Sequence, residues 1–199
     1  MNKFFFSSTL SILLISMPCL YAQHKDCYTA LEICDNASLH MIPSSGIGLT
    51  DLGVAITCVG QEYNSIWMKW TVMESGILSF VLYPDSAWQD LDFIVFQPGS
   101  DEDCVDKIPI RCMAAGANIA EPPQQWINCT GATGLATGNT DAEEPPGCPP
   151  GSNNFLAPID ALAGEQYILM INEFSDSGFG YTLSYTGTAS LTCITGTAY

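Results

Sequence analysis

Short runs in which apolar and polar residues alternate recur along the chain. In the first of them, Ile66, Met68 and Trp70 share one face, and Trp67 lies on the other face with Lys69. A period of two is typical of β-strands that are buried on one side. The alternation predicts strands over residues 66–72, 76–83, 91–96 and 179–185.

One further run, residues 167–171, is apolar throughout, which predicts a central strand buried on both faces. Turn residues separate the runs, and residues 74–76 are predicted to form a tight hairpin between the first two strands. No segment carries a long 3.6-residue period. The chain is therefore predicted to be all-β and to fold as a jelly-roll-like antiparallel β-sandwich.

Residues 113–154 differ in composition, since they are rich in glycine, alanine, proline, threonine and asparagine. They contain Pro122-Pro123 and the run Glu143-Glu144-Pro145-Pro146-Gly147. Proline and glycine interrupt regular strands, so we predict one long insertion loop here. Cys129 and Cys148 are expected to tether it.

The first 22 residues have the three-part layout of a secretory signal peptide, with cleavage predicted after Ala22. Their apolar run is too short and too often interrupted by serine to span a bilayer. A bacterial lipoprotein is the rival interpretation because Cys19 lies near the end of the run, although Pro18 stands where a lipobox has a small residue. We predict a folded domain over residues 23–199 that is secreted or exposed at the cell surface, with the periplasm as the alternative.

Of the nine cysteines in the chain, only Cys19 lies within the predicted signal peptide. The even number that remains is typical of disulfides in an exported protein. Zinc is the alternative use, but no CxxC pair or close Cys/His cluster is present. Many connectivities stay open; spacing favours the pairs Cys104–Cys112, Cys27–Cys34 and Cys129–Cys148, which leaves Cys58–Cys193.

The chain is strongly acidic, with 21 aspartates and glutamates against 5 lysines and arginines and a net charge of −16. Such a charge repels nucleic acid phosphates and anionic membranes, so we expect neither as a partner. The G-x-S-x-G, H-E-x-x-H and P-loop motifs do not occur in the sequence. The two histidines, His24 and His40, lie in an early segment that offers little for a catalytic triad. We predict that the protein is not an enzyme.

A candidate calcium site is formed by Asp90 and Asp92 at the start of a predicted strand, with Asp85 just before them. Side chains two residues apart project from the same face of an extended chain, so both carboxylates can reach one ion. Calcium takes roughly six to eight oxygen ligands, and Glu173 and Asp176 could supply more. The alternative is that Asp90 caps the turn and Asp92 hydrogen-bonds a neighbouring strand.

Three tryptophans are candidates for ligand binding. Trp67 shares its strand face with polar residues, and Trp88 and Trp126 lie in predicted loops. Exposed aromatic rings can stack on sugars. The alternative is that these rings belong to the core.

Several segments together resemble an exported β-sandwich domain found at the N-terminal side of Bacteroidota surface proteins, including gliding-motility and type IX-secreted proteins. These segments are Asp26-Cys27, Ile33-Cys34, residues 61–67, Trp70-Thr71, residues 90–93, 109–112, 133–135 and 157–188. The chain is more loosely similar to pre-peptidase C-terminal and CUB-like jelly rolls. Some of those bind calcium through acidic residues near the start of a strand, a role that the resemblance would give to Asp90 and Asp92. The resemblance implies a fold and no settled activity.

These observations predict a non-catalytic secreted or cell-surface adhesion module that binds carbohydrate or another exported protein, with calcium as a candidate stabilising ion. One alternative is a structural or assembly subunit of an exported complex. Another is an accessory domain of a secreted hydrolase.

Overall fold

The structure is a computed structural model that describes residues 24–52, 57–99, 104–118 and 121–193. The predicted signal peptide, residues 1–22, lies outside this part of the chain. The described residues form 14 strands and three short 3₁₀ turns, Cys27–Thr29, Pro123–Gln125 and Ile127–Cys129. The prediction of an all-β protein is confirmed.

Seven strands form the larger sheet. They are β1 (Leu31–Glu32), β3 (Asn64–Glu74), β6 (Leu91–Gln97), β7 (Ile108–Ala115), β9 (Glu143–Gly147), β12 (Gln166–Glu173) and β14 (Ser190–Thr192). Their order is β1-β3-β12-β6-β7-β9, and β14 also pairs with β3. Strands β12 and β6 therefore lie in the middle of the sheet.

Five strands form the second sheet, and two more form a small pair. The five are β2 (Leu39–Met41), β5 (Phe80–Pro84), β8 (Thr133–Leu135), β10 (Phe155–Leu156) and β13 (Tyr181–Tyr185), in the order β10-β8-β5-β13-β2. The pair consists of β4 (Gly76–Leu78) and β11 (Ile159–Ala161). The two main sheets make a sandwich-like arrangement.

Most strand pairs are antiparallel, as predicted, but three pairs are parallel, so the sheets are mixed. Strand β1 runs parallel to β3, β8 parallel to β10 and β7 parallel to β9. Each of these pairs joins a short edge strand that returns after a long connection. Parallel pairing requires such a crossover, whereas a hairpin enforces the antiparallel direction.

The main core lies between the two sheets. Trp70, Phe93 and Leu169 of the larger sheet are fully buried in the same cluster as Phe80 and Leu183 of the second sheet. Aromatic contacts cross this layer, since the rings of Phe80 and Phe93 meet edge to face at 5.3 Å between centroids. Burial of such side chains stabilises each by about 1.5–3 kcal/mol relative to exposure.

A second core covers the opposite face of the larger sheet. Trp67, Phe96 and Met170 pack there against Cys27 and Val59 of the N-terminal segment. Strands β6 and β12 are consequently buried on both faces. The prediction of a doubly buried central strand over residues 167–171 is confirmed.

The predicted strand over residues 76–83 divides between two sheets, and the predicted hairpin at residues 74–76 is wrong. Strand β4 pairs with β11, whereas β5 belongs to the second sheet. The chain changes sheets at Ser79, whose carbonyl accepts a hydrogen bond from the Thr186 N–H (2.9 Å). A strand that switches sheets makes a corner of a sandwich, and local turn chemistry does not reveal it.

Residues 113–154 are not one long structureless loop. They contain the end of β7, the strands β8 and β9, and two of the 3₁₀ turns. Strand β8 carries Gly134, where a Cβ atom would overlap the carbonyl oxygen of Phe80. Long-range pairing of this kind stabilises strands that cannot be predicted from the sequence pattern, because they are rich in glycine and proline.

All eight cysteines beyond Cys19 form disulfides, and one of the four predicted pairs is correct. Cys129–Cys148 is confirmed. Cys104–Cys112, Cys27–Cys34 and Cys58–Cys193 are wrong, because the structure joins Cys27–Cys104, Cys34–Cys193 and Cys58–Cys112. The N-terminal segment folds over the larger sheet, so cysteines that are close in sequence bond to distant partners.

Candidate functional site

Strand β6 begins where β12 ends, because the two are antiparallel neighbours. Phe174, after β12, donates its N–H to the carbonyl of Asp90 (3.1 Å). Gln89 Nε2 donates to the carbonyl of Phe179 (3.1 Å), and the Gly131 N–H donates to the carbonyl of Gln89 (3.2 Å). These bonds join three loops into one surface. We call it the loop end, and it consists of residues 85–90, 121–131 and 174–180.

A layer of buried polar side chains lies where the strands enter and leave the loop end. We call it the polar layer, and its members are Asn64, Asp90, Asp92, Asn172 and Glu173. Strand pairing aligns Asp92 with Asn172 and Asn64 with Glu173. Buried polar groups cost stability unless they are hydrogen-bonded, so the bonds of this layer determine what it can do.

Glu173 organises the loop that follows it. Its carboxylate accepts hydrogen bonds from the Ser175 hydroxyl and from the N–H and hydroxyl of Ser177 (both 3.0 Å). Asn64 Nδ2 donates to Asp176 Oδ1 (2.8 Å) and to Glu173 Oε2 (3.4 Å). Residues 174–177 thus fold around a buried acceptor.

Asp90 and Asp92 have fewer donors. Asp90 Oδ2 accepts the Ala117 N–H (2.6 Å), and Asp92 Oδ2 accepts from Asn172 Nδ2 (3.3 Å). Burial, together with the charge of Glu173, raises the pKa of Asp90 to about 7 despite the bond from Ala117. Burial and the charge of Asp90 raise the pKa of Asp92 well above its ordinary value. Ionisation of this layer is therefore costly unless a cation compensates it.

Gly116 makes room for the Asp90 carboxylate. It has a φ of +138°, and a Cβ atom at this position would overlap the Asp90 side chain. Only glycine adopts such a backbone without strain. The Ala117 N–H reaches Asp90 because the chain passes this close.

The structure brings together four of the five predicted calcium ligands. Asp90, Asp92 and Glu173 lie in the polar layer, and Asp176 joins it through Asn64. Asp85 lies apart, with its carboxylate 3.0 Å from His40 Nε2. Within the described residues, no three His, Cys, Asp or Glu side chains are placed to hold one ion. Asp92 instead bonds Asn172 of the neighbouring strand, as the alternative interpretation has it; calcium binding stays a prediction.

Trp67, a candidate for ligand binding, belongs to the core, as the alternative interpretation has it. Its side chain is completely buried and stacks on Phe96 with 5.8 Å between centroids. Its Nε1 donates to Glu62 Oε2 (3.1 Å), and Lys107 Nζ lies 5.3 Å from the ring centroid. The face that carries Trp67 is covered by the second core, so polar neighbours along the strand did not mark solvent exposure.

Trp88 is exposed, as predicted, with 68 % of its surface accessible. Trp126 is half-buried, and its Nε1 donates to the carbonyl of Glu121 (3.1 Å). A second exposed aromatic at the loop end is Phe179, which is 53 % accessible. The sequence pattern placed Phe179 inside a strand, but β13 begins only at Tyr181. Ligand binding by Trp88 and Trp126 remains a prediction.

A cleft of about 310 Å³ opens beside the polar layer. Its lining includes Asp92 together with the aromatic rings of Tyr63 and Phe174. These rings meet edge to face, 5.0 Å apart and at 82°. The cleft therefore combines one buried carboxylate with apolar walls.

Sequence reasoning missed Asn64, Asn172 and the Tyr63–Phe174 pair. One available signal was Asn172, a polar residue that directly follows the apolar run of a strand buried on both faces. A polar side chain in such a place needs a buried partner. Asn172 Oδ1 accepts the Tyr63 N–H (2.7 Å), a contact between residues more than a hundred positions apart that no local pattern shows.

The four disulfides are compatible with a secreted or extracellular protein. In the part of the chain that the structure describes, no helix has the length and apolar character needed to cross a membrane. Comparisons with protein families, with curated proteins and with solved structures find no significant match to this chain.

Proposed function

We propose that the chain is a non-catalytic, secreted or cell-surface module that binds carbohydrate at the loop end. The observation that carries the proposal is the exposure of Trp88. Its turn is closed by a hydrogen bond from the Gln89 N–H to the Ser86 carbonyl (3.0 Å), so the ring is held on an ordered surface. Exposing a large apolar ring sacrifices the stabilisation that its burial would give, which supports a role in contact with a ligand.

Polar groups beside the exposed aromatics can form the hydrogen bonds that sugar recognition also requires. Asp85 donates its N–H to the carbonyl of Gly180 (3.0 Å), next to Phe179, and its carboxylate pairs with His40. A carboxylate accepts hydrogen bonds from sugar hydroxyls, while an aromatic ring packs on the C–H face of the sugar. The loop end offers both kinds of contact.

The proposal predicts that the oxidised chain binds polysaccharide and that Trp88→Ala weakens binding at least about tenfold, or about 1.4 kcal/mol. Glycan-array screening followed by calorimetry on the best ligand would measure this. Leu162→Ala is the matched control, because Leu162 is also exposed (61 %) but precedes β12, at the opposite end of that strand. Unchanged affinity in Trp88→Ala, or equal losses in both variants, would contradict the proposed site.

The alternative is a structural subunit of an exported complex. A specific feature favours it: Ile42, Ile47 and Leu49 are all exposed within one short segment, and clustered apolar side chains are typical of protein contacts. Failure of the wild-type chain to bind any glycan on the array would favour this alternative. The proposed setting at a Bacteroidota cell surface rests on the resemblance of residues 61–67 and 90–93.

Calcium binding has a separate test. If calcium binds the polar layer, millimolar calcium should raise the melting temperature above that in EDTA, since an ion that binds only the folded state stabilises it by mass action. Magnesium should not substitute, and Asp92→Ala should abolish the rise while Asp160→Ala, at an exposed carboxylate, should keep it. An unchanged melting temperature would leave the carboxylates as hydrogen-bond acceptors alone.

A further inference from the structure

The cleft beside the polar layer is lined by neither Trp88 nor Phe179, the exposed aromatics of the loop end. Its apolar walls include Val59, Ala114, Pro146 and the Tyr63–Phe174 pair. The pair is anchored on the polar layer. The Tyr63 N–H donates to Asn172 Oδ1 (2.7 Å), and the Phe174 N–H donates to the carbonyl of Asp90 (3.1 Å). The backbone of both wall residues is therefore held in place by hydrogen bonds.

Among the described residues, Asp92 is the one carboxylate that lines the cleft, and only 5 % of its surface is accessible. Its bond from Asn172 Nδ2 is long (3.3 Å), so the carboxylate keeps acceptor capacity toward the cleft. No lysine, arginine or histidine lines the cleft among the described residues. Burial and the nearby charge of Asp90 both raise the pKa of Asp92, so a cation in the cleft would favour the ionised carboxylate.

The chemistry of a ligand follows from these surroundings. A buried carboxylate without a basic partner favours a cation. A bare metal ion prefers a shell of several oxygen ligands, whereas this cleft is walled mainly by apolar groups. Aromatic rings attract an organic cation as well, through cation–π interaction. A positive charge on a short apolar stem satisfies both the carboxylate and the walls.

We propose that the cleft binds a primary alkylammonium group, with the ammonium against Asp92 and its methylene stem along Val59, Ala114 and the Tyr63–Phe174 rings. The same chemistry is presented by a free small amine and by the lysine side chain of a protein. This proposal does not depend on glycan binding, which is placed on the loop end and carried by Trp88.

The test is titration of the oxidised chain in EDTA with n-butylamine hydrochloride, followed by calorimetry and by NMR of the backbone amides. The neutral probe of matched size is 1-butanol. We expect the amine to bind at least about tenfold more tightly than the alcohol, and Asp92→Asn to remove that preference. Asp160→Asn is the control, since it removes an exposed carboxylate that does not line the cleft, and it should leave the preference unchanged.

The amide shifts provide a readout in the unaltered protein, should Asp92→Asn fail to fold. They should centre on Tyr63, Asp92 and Phe174. Equal affinity for amine and alcohol, or shifts confined to another surface, would overturn the proposal. Nα-acetyl-lysine methylamide distinguishes the two sources: binding of both ammonium compounds supports a lysine side chain as the natural occupant, and binding of butylamine alone supports a free amine.

Discussion

In EDTA, the melting temperature of the chain with its disulfides intact should fall as the pH rises from 5 to 8, and Asp90→Asn should make that fall smaller. Burial raises the pKa of Asp90 to about 7 in the folded protein, against an ordinary value of 3.8. The folded state therefore holds a proton that the unfolded state has already released. The contribution of this Asp90 proton to stability is fully present below pH 4. It declines as the pH rises and is lost above pH 7.

The expected size of this effect is large. A pKa difference of this extent corresponds to on the order of 4 kcal/mol above pH 7, a sizeable part of the stability of an ordinary domain. Asp92 shares the titration because the two carboxylates lie close together, and burial also raises the pKa of Glu62. Because of these groups, the melting temperature of Asp90→Asn should still fall with rising pH, but less steeply than that of wild type.

Melting curves of wild type, Asp90→Asn and Asp160→Asn across this pH range would check the prediction. Asp90→Asn keeps an acceptor for the Ala117 N–H, so we expect it to melt higher than wild type at pH 8. Asp160→Asn should follow wild type, because Asp160 is exposed. A lower melting temperature for Asp90→Asn at pH 8, with an unchanged pH slope, would mean that the ionised carboxylate is stabilised by a partner.

Replacement of both Cys34 and Cys193 by alanine should lower the free energy of unfolding by about 4–5 kcal/mol. This disulfide joins residues 159 positions apart, so it restricts the unfolded chain more than any shorter loop. It also links the ends of β1 and β14, the two short strands that pair with β3. Asn36 holds the same edge, since it donates to the carbonyl of Ala189 (2.9 Å) and accepts from the Leu191 N–H (3.0 Å).

Chemical denaturation would measure the loss, with the Cys129→Ala/Cys148→Ala variant as the control. That disulfide spans 19 positions, and its removal should cost about 3 kcal/mol. Hydrogen exchange should show that Leu191 loses its protection in the Cys34/Cys193 variant before the centre of β12 does. Equal stability of the two variants, with β14 still protected, would contradict the role assigned to this pair.

The alternating pattern predicted the strands around Trp70, Phe93 and Leu183 because each is anchored in the core between the sheets, where a period of two records which side faces inward. It failed for Trp67. Both faces of the larger sheet are buried, and the second face is covered by an N-terminal segment with no strand pattern of its own. Binary patterning reports one buried face and cannot identify the element that covers the other.

The candidate site divides in the same way. Asp90, Asp92, Glu173 and Trp88 could be selected from the sequence because charged residues at a strand end and a tryptophan in a loop are locally unusual. The residues that surround them could not be selected in this way. Asn64, Asn172, Tyr63 and Gly116 reach the site from separate parts of the chain, through pairing and close packing that leave no local signal.

The sequence alone therefore determined the all-β class, the oxidised state expected of an even set of cysteines, and the position of an acidic strand start. Only the tertiary structure decided the disulfide partners, the burial of Trp67, the polar layer and the cleft at Asp92. The physical reason is the range of the interactions. Strand propensity and turn chemistry act over a few residues, whereas disulfide pairing, sheet order and burial depend on which distant segments the fold brings into contact.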